Sequence, residues 1–206
     1  MGMDFIIAAI ITIVGISTPI LLAGLGELVA EKAGVLNLGV EGMMLIGAIA
    51  GFAVTVYTGN PWLGVLGAGA AGALSALLFG FFVLTLNSNQ VATGLALTIF
   101  GTGLSSLIGL SFVGRIVPQF GSVFPPELAR DPIGKLVFGY SPIVYFALIM
   151  VVLVAWFLKS TRSGLILRAV GENDLSAHSI GYSVVGVRYL AVAFGGAMAG
   201  IGGVYF

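Results

Sequence analysis

The chain has no cysteine, a single histidine at His178, and charge on only 8% of its residues. Without thiols there is no disulfide framework and no thiolate metal centre. A lone histidine lacks the companion ligands that a zinc site demands, so no metal is expected. The arrangements His-Glu-x-x-His, Gly-x-Ser-x-Gly and Gly-x-x-x-x-Gly-Lys are also missing. With them go the metalloprotease, serine-hydrolase and phosphate-loop chemistries those patterns carry. No catalytic residue is assigned and no cofactor is expected on this chain; were ATP to drive it, the nucleotide would bind another subunit. Lys+Arg and Asp+Glu stand at 8 each, for a formal net charge of zero. That leaves no basic face to neutralise phosphates, which excludes nucleic acid as a partner.

What the chain has instead is apolar length. Hydrophobic residues make up 59%, and no charge falls anywhere from Gly42 to Gly114. A transmembrane helix needs about 20 apolar residues, and the turn signals cut the sequence into six such runs. They lie at 5–26, 36–57, 62–86, 91–113, 141–158 and 189–206. Pro19 kinks the first, the turn Thr58-Gly59-Asn60-Pro61 closes the second, and Asn87-Ser88-Asn89-Gln90 ends the third. Between the fourth and fifth, residues 114–139 carry Arg115, Glu127, Arg130, Asp131, Lys135 and four prolines, the texture of a structured loop. The start, with Asp4 and no Lys or Arg through Ile10, lacks the positive region of a signal peptide and reads as the first span. The expected fold is an all-α polytopic membrane protein, one domain over 1–206 embedded in the lipid bilayer. The last run meets the chain end with no flanking anchor.

Basic residues orient it. Lys32 and the four basic residues of 159–188 fall on one side, against Arg115, Arg130 and Lys135 on the other. Lys and Arg in short loops favour the cytoplasm, which places 159–188 inside, the N-terminus outside and the 114–139 loop outside. Glycine adds a packing signal. Gly196 to Gly200, Ala199 to Gly203 and Ala68 to Gly72 are small-xxx-small spacings that let helix backbones approach closely in lipid.

Polar groups near the apolar runs are candidates for a solute path. Glu27, Glu31 and Lys32 are expected between the first two spans. If Leu36 opens a helix, Glu41 lies about 7 Å inside it at ~1.5 Å per residue, where an unpaired charge costs ~2.5–3.5 kcal/mol or more. Two readings stand: Asn37 and Glu41 line a transport path or hold a broken helix, or Glu41 is an interfacial acid at a helix start, paired with Lys32 or an arginine. Asn89, Gln90 and Thr93 likewise read either as solute contacts or as a polar turn with an N-cap for the fourth span. His178, four residues after Asp174, shares a helical face with it and can pair with it.

The charged stretch 159–188 contains one expected short helix from Glu172 to Ile180. Acids lie in its first turn, Asn173 is its cap, and Gly181 stands at the C′ position where helices end. A short helix bracketed by glycines between two spans has the shape of a docking element.

The pattern Gly171-Glu172-Asn173, then Ala177 and Gly181, leading into a glycine-rich span, resembles the coupling segment of ABC-importer permeases of the branched-chain amino acid, ribose and nucleoside type. The stretch Glu31-Lys-Ala-Gly-Val-Leu-Asn-Leu-Gly-Val-Glu-Gly-Met-Met44 is similar to the early motif of the simple-sugar and nucleoside branch. The resemblance implies a permease subunit with ATP on partner ATPase subunits, a second permease subunit and an extracytoplasmic solute-binding protein. It implies that Gly171, Glu172, Asn173, Ala177 and Gly181 form the coupling helix seated in the ATPase. Members of that family are about half as long again, so a C-terminal part is expected to be missing here. Two other classes remain: an ion-coupled secondary transporter with Glu41 as coupling carboxylate, and an assembly subunit with no path of its own.

Overall fold

Four of the long helices open on a residue that supplies the first hydrogen bond or fixes the first turn. Asn60 accepts from the Trp62 N–H at 2.9 Å with Pro61 at the first helical position. Asn89 accepts from Ala92 at 3.1 Å, and Pro142 opens another helix behind Ser141. Ser183 caps the last. The computed structural model describes residues 2–118, 120–121, 123–125 and 132–205, and within them the chain is helical with no strand. The elements are α1 Gly2–Lys32, α2 Val40–Thr58, α3 Pro61–Gly80, α4 Gln90–Gly109, α5 Pro132–Phe138, α6 Pro142–Ser160, α7 Arg162–Glu172, α8 Asp174–Ser179 and α9 Val184–Gly203. Helix α3 runs on through a π-turn, Phe81–Thr85. Six helices (α1, α2, α3, α4, α6 and α9) are long and apolar enough to cross a membrane, as the run-cutting predicts.

Boundaries differ from expectation in instructive places. Helix α1 carries Glu27, Glu31 and Lys32 on its last turns instead of leaving them between spans. Helix α2 begins at Val40, four residues later than the apolar run suggests, and α9 begins at Val184, five residues earlier than 189. The 114–139 loop contains α5. Its Glu127, Arg130 and Asp131 lie outside the described residues.

Small residues hold the bundle together, and α9 is its axis. It runs antiparallel to α1, with Gly26 on Gly195 and Pro19 on Gly202. It also runs antiparallel to α3, where a Cβ on Gly72 would strike the Gly196 carbonyl and one on Gly196 would strike Gly72 and Ala76. Gly200 abuts the Ala68 carbonyl, and Gly203 abuts Met44 of α2. These are the small-xxx-small positions of the sequence. Helix α4 leans on α2 through Gly101 against Gly42 and Gly94 against Gly39. Helix α6 packs on α1 around buried Leu25, Val29, Val154 and Leu158. One end of the bundle carries the charged pair α7–α8; the opposite end carries the α2–α3 turn and the loop before α6.

Candidate functional site

Between α1 and α2 the chain cannot stay helical. Gly34 takes φ +82, in the left-handed region open to glycine. Three residues on, the Asn37 Oδ1 accepts from the Gly39 N–H at 2.9 Å, an Asx turn that diverts the backbone. The resulting non-helical stretch 33–39 is pinned from several sides. The Asn37 N–H donates to Glu27 Oε1 at 2.8 Å, and the Leu36 N–H donates to Gln90 Oε1 at 2.8 Å. The Thr98 hydroxyl donates to the Leu38 carbonyl at 3.2 Å. Asn37 is buried, with Nδ2 against the Met43 sulfur at 3.4 Å. Backbone groups away from water need partners, and here α1 and α4 supply them.

The charged segment meets the same stretch. A Cβ on Gly171 would run into the Lys32 carbonyl and close on Gly34 N, so only glycine lets the end of α7 lie against the end of α1. From α9, the Arg188 Nε donates to the Ala33 carbonyl at 3.1 Å, while Nη2 stands 3.5 Å from Asp174 Oδ2 on α8. Arg188 therefore fastens α8, α9 and the 33–39 stretch together. Gly171, Asn37 and Gln90, far apart in sequence, converge on one joint.

The structure revises the expected short helix. Glu172 closes α7 and does not open α8, because Asn173 is extended at φ −153 and ψ 96 and breaks the chain into two helices. Asn173 does cap, its Oδ1 accepting from the Ser176 N–H at 3.0 Å. Ala177 is buried beneath α8. Gly181 at φ +95 ends it: the Gly181 N–H donates to His178 O and the Tyr182 N–H to Ala177 O, a Schellman motif. Asp174 pairs with Arg188, not with His178, which is exposed. Glu172 is exposed, and so are Leu175 at 80% and Ile180 at 74%.

The remaining candidates separate. Glu41 sits exposed in the first turn of α2, so the expectation of an acid 7 Å inside a helix that starts at Leu36 fails: the Asx turn delays the helix to Val40. Its carboxylate complements the helix N-terminus, and it shares a cleft with Met44, Leu45, Ala48 and Gly203. Asn89 is the α4 cap, and Thr93 is half-buried next to Gly94, with its N–H on the Asn89 carbonyl at 3.0 Å. Among the described residues no cluster could hold a metal ion. Sequence reasoning named Glu27 only as a group between spans and Arg188 only as an orienting cation, missing their bonds to Asn37 and Ala33, and it missed the pair Thr85 and Tyr189, whose hydroxyls lie 2.6 Å apart. Glu27 left a signal, an acid within helical reach of an apolar run; the other pairings span too much sequence to leave one.

Comparison with known proteins converges on one family. Residues 9–206 match the profile described as branched-chain amino acid transport system / permease component. A Haloferax volcanii protein named as a candidate glucose ABC transporter permease is 44% identical over 195 residues, covering 92% of this chain and 59% of that protein. The guanosine ABC transporter permease of Bacillus subtilis is 32% identical over 202 residues, 91% of this chain and 63% of its own length. The nucleoside ABC transporter permease of Lactococcus lactis subsp. cremoris is 31% identical over 202 residues, 92% and 64% respectively. The chain thus spans about three fifths of the length of these relatives. No solved structure matches. Six of its helices are long and apolar enough to cross a membrane, and the profile covers nearly the whole chain, so the chain belongs to the branched-chain amino acid transport system / permease component family.

Proposed function

We propose that the chain is the membrane-spanning part of an ABC importer permease subunit in the plasma membrane, carrying a nucleoside or simple sugar into the cell. ATP is bound and hydrolysed on separate ATPase subunits, a second permease subunit completes the pathway, and an extracytoplasmic binding protein delivers solute. The α7–α8 end faces the cytoplasm, in keeping with the basic residues there. The names of the relatives, for glucose, guanosine and nucleosides, favour that solute class.

One observation supports this reading above the others: Gly171 seats against Lys32 and Gly34 while Arg188 ties Asp174 to Ala33. A displacement of α8 is thereby delivered to the 33–39 stretch, and through Asn37 and Gln90 to the starts of α2 and α4. A packed joint with discrete partners transmits such a shift as a rigid-body change, which is what alternating access requires. Gly171, Glu172, Asn173, Ala177 and Gly181 act as the coupling segment, Glu172 at the exposed contact and the rest shaping it.

Glu41 as the carboxylate of an ion-coupled carrier finds no support in the family match, and its exposed place on a helix start explains it without a proton or sodium ion. The test is a full-length permease carrying Gly171→Leu and Glu172→Ala, reconstituted with its ATPase and binding protein. Loss of solute-stimulated ATP hydrolysis and uptake is expected; unchanged coupling rejects the reading.

A further inference from the structure

At the end of the bundle opposite the joint lies a cavity of about 640 Å³, walled by α2, α4, the loop before α6, the start of α6 and the chain just past α9. Its size falls within the ~300–1,000 Å³ that small-molecule sites occupy. Two kinds of group face it. Phe52, Phe120 and Tyr205 give it aromatic walls. Two of these rings are braced from behind, Phe52 edge-on to Phe112 at 5.9 Å and Phe120 edge-on to Trp62 at 5.5 Å. Thr55, Ser105 and Ser141 bring hydroxyls to the lining, while the Tyr205 hydroxyl lies against Gly15 of α1. The Thr55 hydroxyl already donates to the Gly51 carbonyl at 2.8 Å. The Ser141 Oγ is buried with no partner among the described residues, a polar atom that a ligand can satisfy.

Among the described residues of the lining, none carries a charge. That discriminates between solutes. An amino acid brings a carboxylate and an ammonium, and buried charges need counter-charges or a dense hydrogen-bond shell. A free hexose presents a hydroxyl on nearly every carbon, more than these few groups can pair, and unpaired buried hydroxyls are costly. A nucleoside fits both halves of the wall: a flat base for the aromatic faces, and a ribose for the hydroxyls.

The cavity also leads somewhere. It shares Ala48 and Gly203 with the cleft of about 310 Å³ that contains Glu41. Thr55, Phe52, Ala48 and Glu41 recur at three- to seven-residue steps along one face of α2. That face runs from the cavity towards the joint.

We propose that this cavity is the solute site of the permease and that it takes a neutral nucleoside, with the base between Phe52 and Phe120 and the ribose towards Ser105 and Ser141. The proposal rests on the reading of the chain as an importer permease and goes beyond it by naming the pocket and its solute. These 206 residues contain no cysteine, so one introduced here reports on its own position once any cysteines elsewhere in the complex are replaced by serine. Single Thr55→Cys and Ser105→Cys variants of the full-length importer complex in membrane vesicles are labelled with a small maleimide. Tyr57→Cys, at a residue 81% exposed outside the cavity, is the control.

Adenosine and guanosine should slow labelling at 55 and 105 by at least about fivefold, the lower end for one stacked base, and leave 57 untouched. Glucose and leucine should do nothing. Protection by glucose alone overturns the stacking assignment, protection by leucine overturns the neutral site, and no protection by any of the four overturns the pocket. In parallel, Phe52→Ala should raise the KM for nucleoside uptake, and an unchanged KM overturns the stacking assignment. Uptake that is independent of ATP would reject the importer reading instead, leaving the labelling result to stand by itself.

Discussion

Arg188 and Ala33, separated by 155 positions, are joined by a hydrogen bond of 3.1 Å from the guanidinium Nε to the carbonyl just past the end of α1. Helix C-termini leave carbonyls without intrahelical partners, and here a side chain from α9 fills that role while also facing Asp174. The consequence is that α1, α8 and α9 share one cation.

Removal of that cation should cost more than removal of its acid. Asp174 is half exposed, so its pairing contributes about 0–1 kcal/mol. A charged hydrogen bond to a carbonyl contributes about 1.5–3 kcal/mol. Arg188→Ala should therefore lower the melting temperature in detergent clearly more than Asp174→Ala, read by intrinsic tryptophan fluorescence. Equal shifts would show that the Ala33 bond adds nothing.

The glycines of the α3–α9 contact should behave oppositely to those facing open space. A Cβ at Gly196 meets backbone and Ala76, which cannot move aside cheaply, so Gly196→Ala should destabilise by about 1–3 kcal/mol. Gly103 sits inside α4 with nothing near its missing Cβ. Gly103→Ala should be neutral or stabilise by up to about 1 kcal/mol, the helix preference of alanine over glycine. Resistance to SDS-induced unfolding measures both.

Much of this was legible from sequence because the relevant forces are local. Asn60-Pro61 and Asn89 mark helix starts, uncharged runs of about 20 residues mark spans, and glycine spacing marks contacts. What stayed hidden was decided by partners distant in the chain. Glu27, Glu31 and Lys32 read as loop because they are charged, yet α1 carries them and its end is occupied by Gly171 and Arg188. Leu36 reads as the start of α2 because it is apolar, yet the Asn37 turn and the bond from Leu36 to Gln90 hold it out of the helix. Glu172 reads as a first-turn acid because Asn173 is a plausible cap from either side, and only the backbone shows that α7 reaches it.

Glu27 should matter as an acceptor, not as a charge. Its Oε1 takes the Asn37 N–H at 2.8 Å, and Oε2 is buried without a partner among the described residues. Glu27→Gln keeps an oxygen for that N–H and should melt near the parent. Glu27→Leu leaves the donor orphaned, at a cost of about 1–3 kcal/mol. Parallel melting curves of the two variants decide it, and a larger loss for Gln than for Leu would refute the acceptor role.

Two exposed apolar residues, Leu175 on α8 and Ile180 just past its end, give the sharpest separation of folding from coupling. Leu175 and Ile180 are 80% and 74% exposed, so neither contributes packing to this chain, and replacing them with aspartate should leave the melting temperature unchanged. Should α8 seat in an ATPase subunit, the same residues become buried anchors, and a carboxylate there carries the penalty of an uncompensated charge. Leu175→Asp and Ile180→Asp should then weaken co-purification of the ATPase by at least about tenfold, equivalent to 1.4 kcal/mol. Solute-stimulated hydrolysis should fall with it. Ala177→Asp is the necessary contrast. Ala177 is buried within the chain, so that change should lower the melting temperature as well as association. A stable Leu175→Asp permease that still binds its ATPase at full strength would place the docking surface elsewhere.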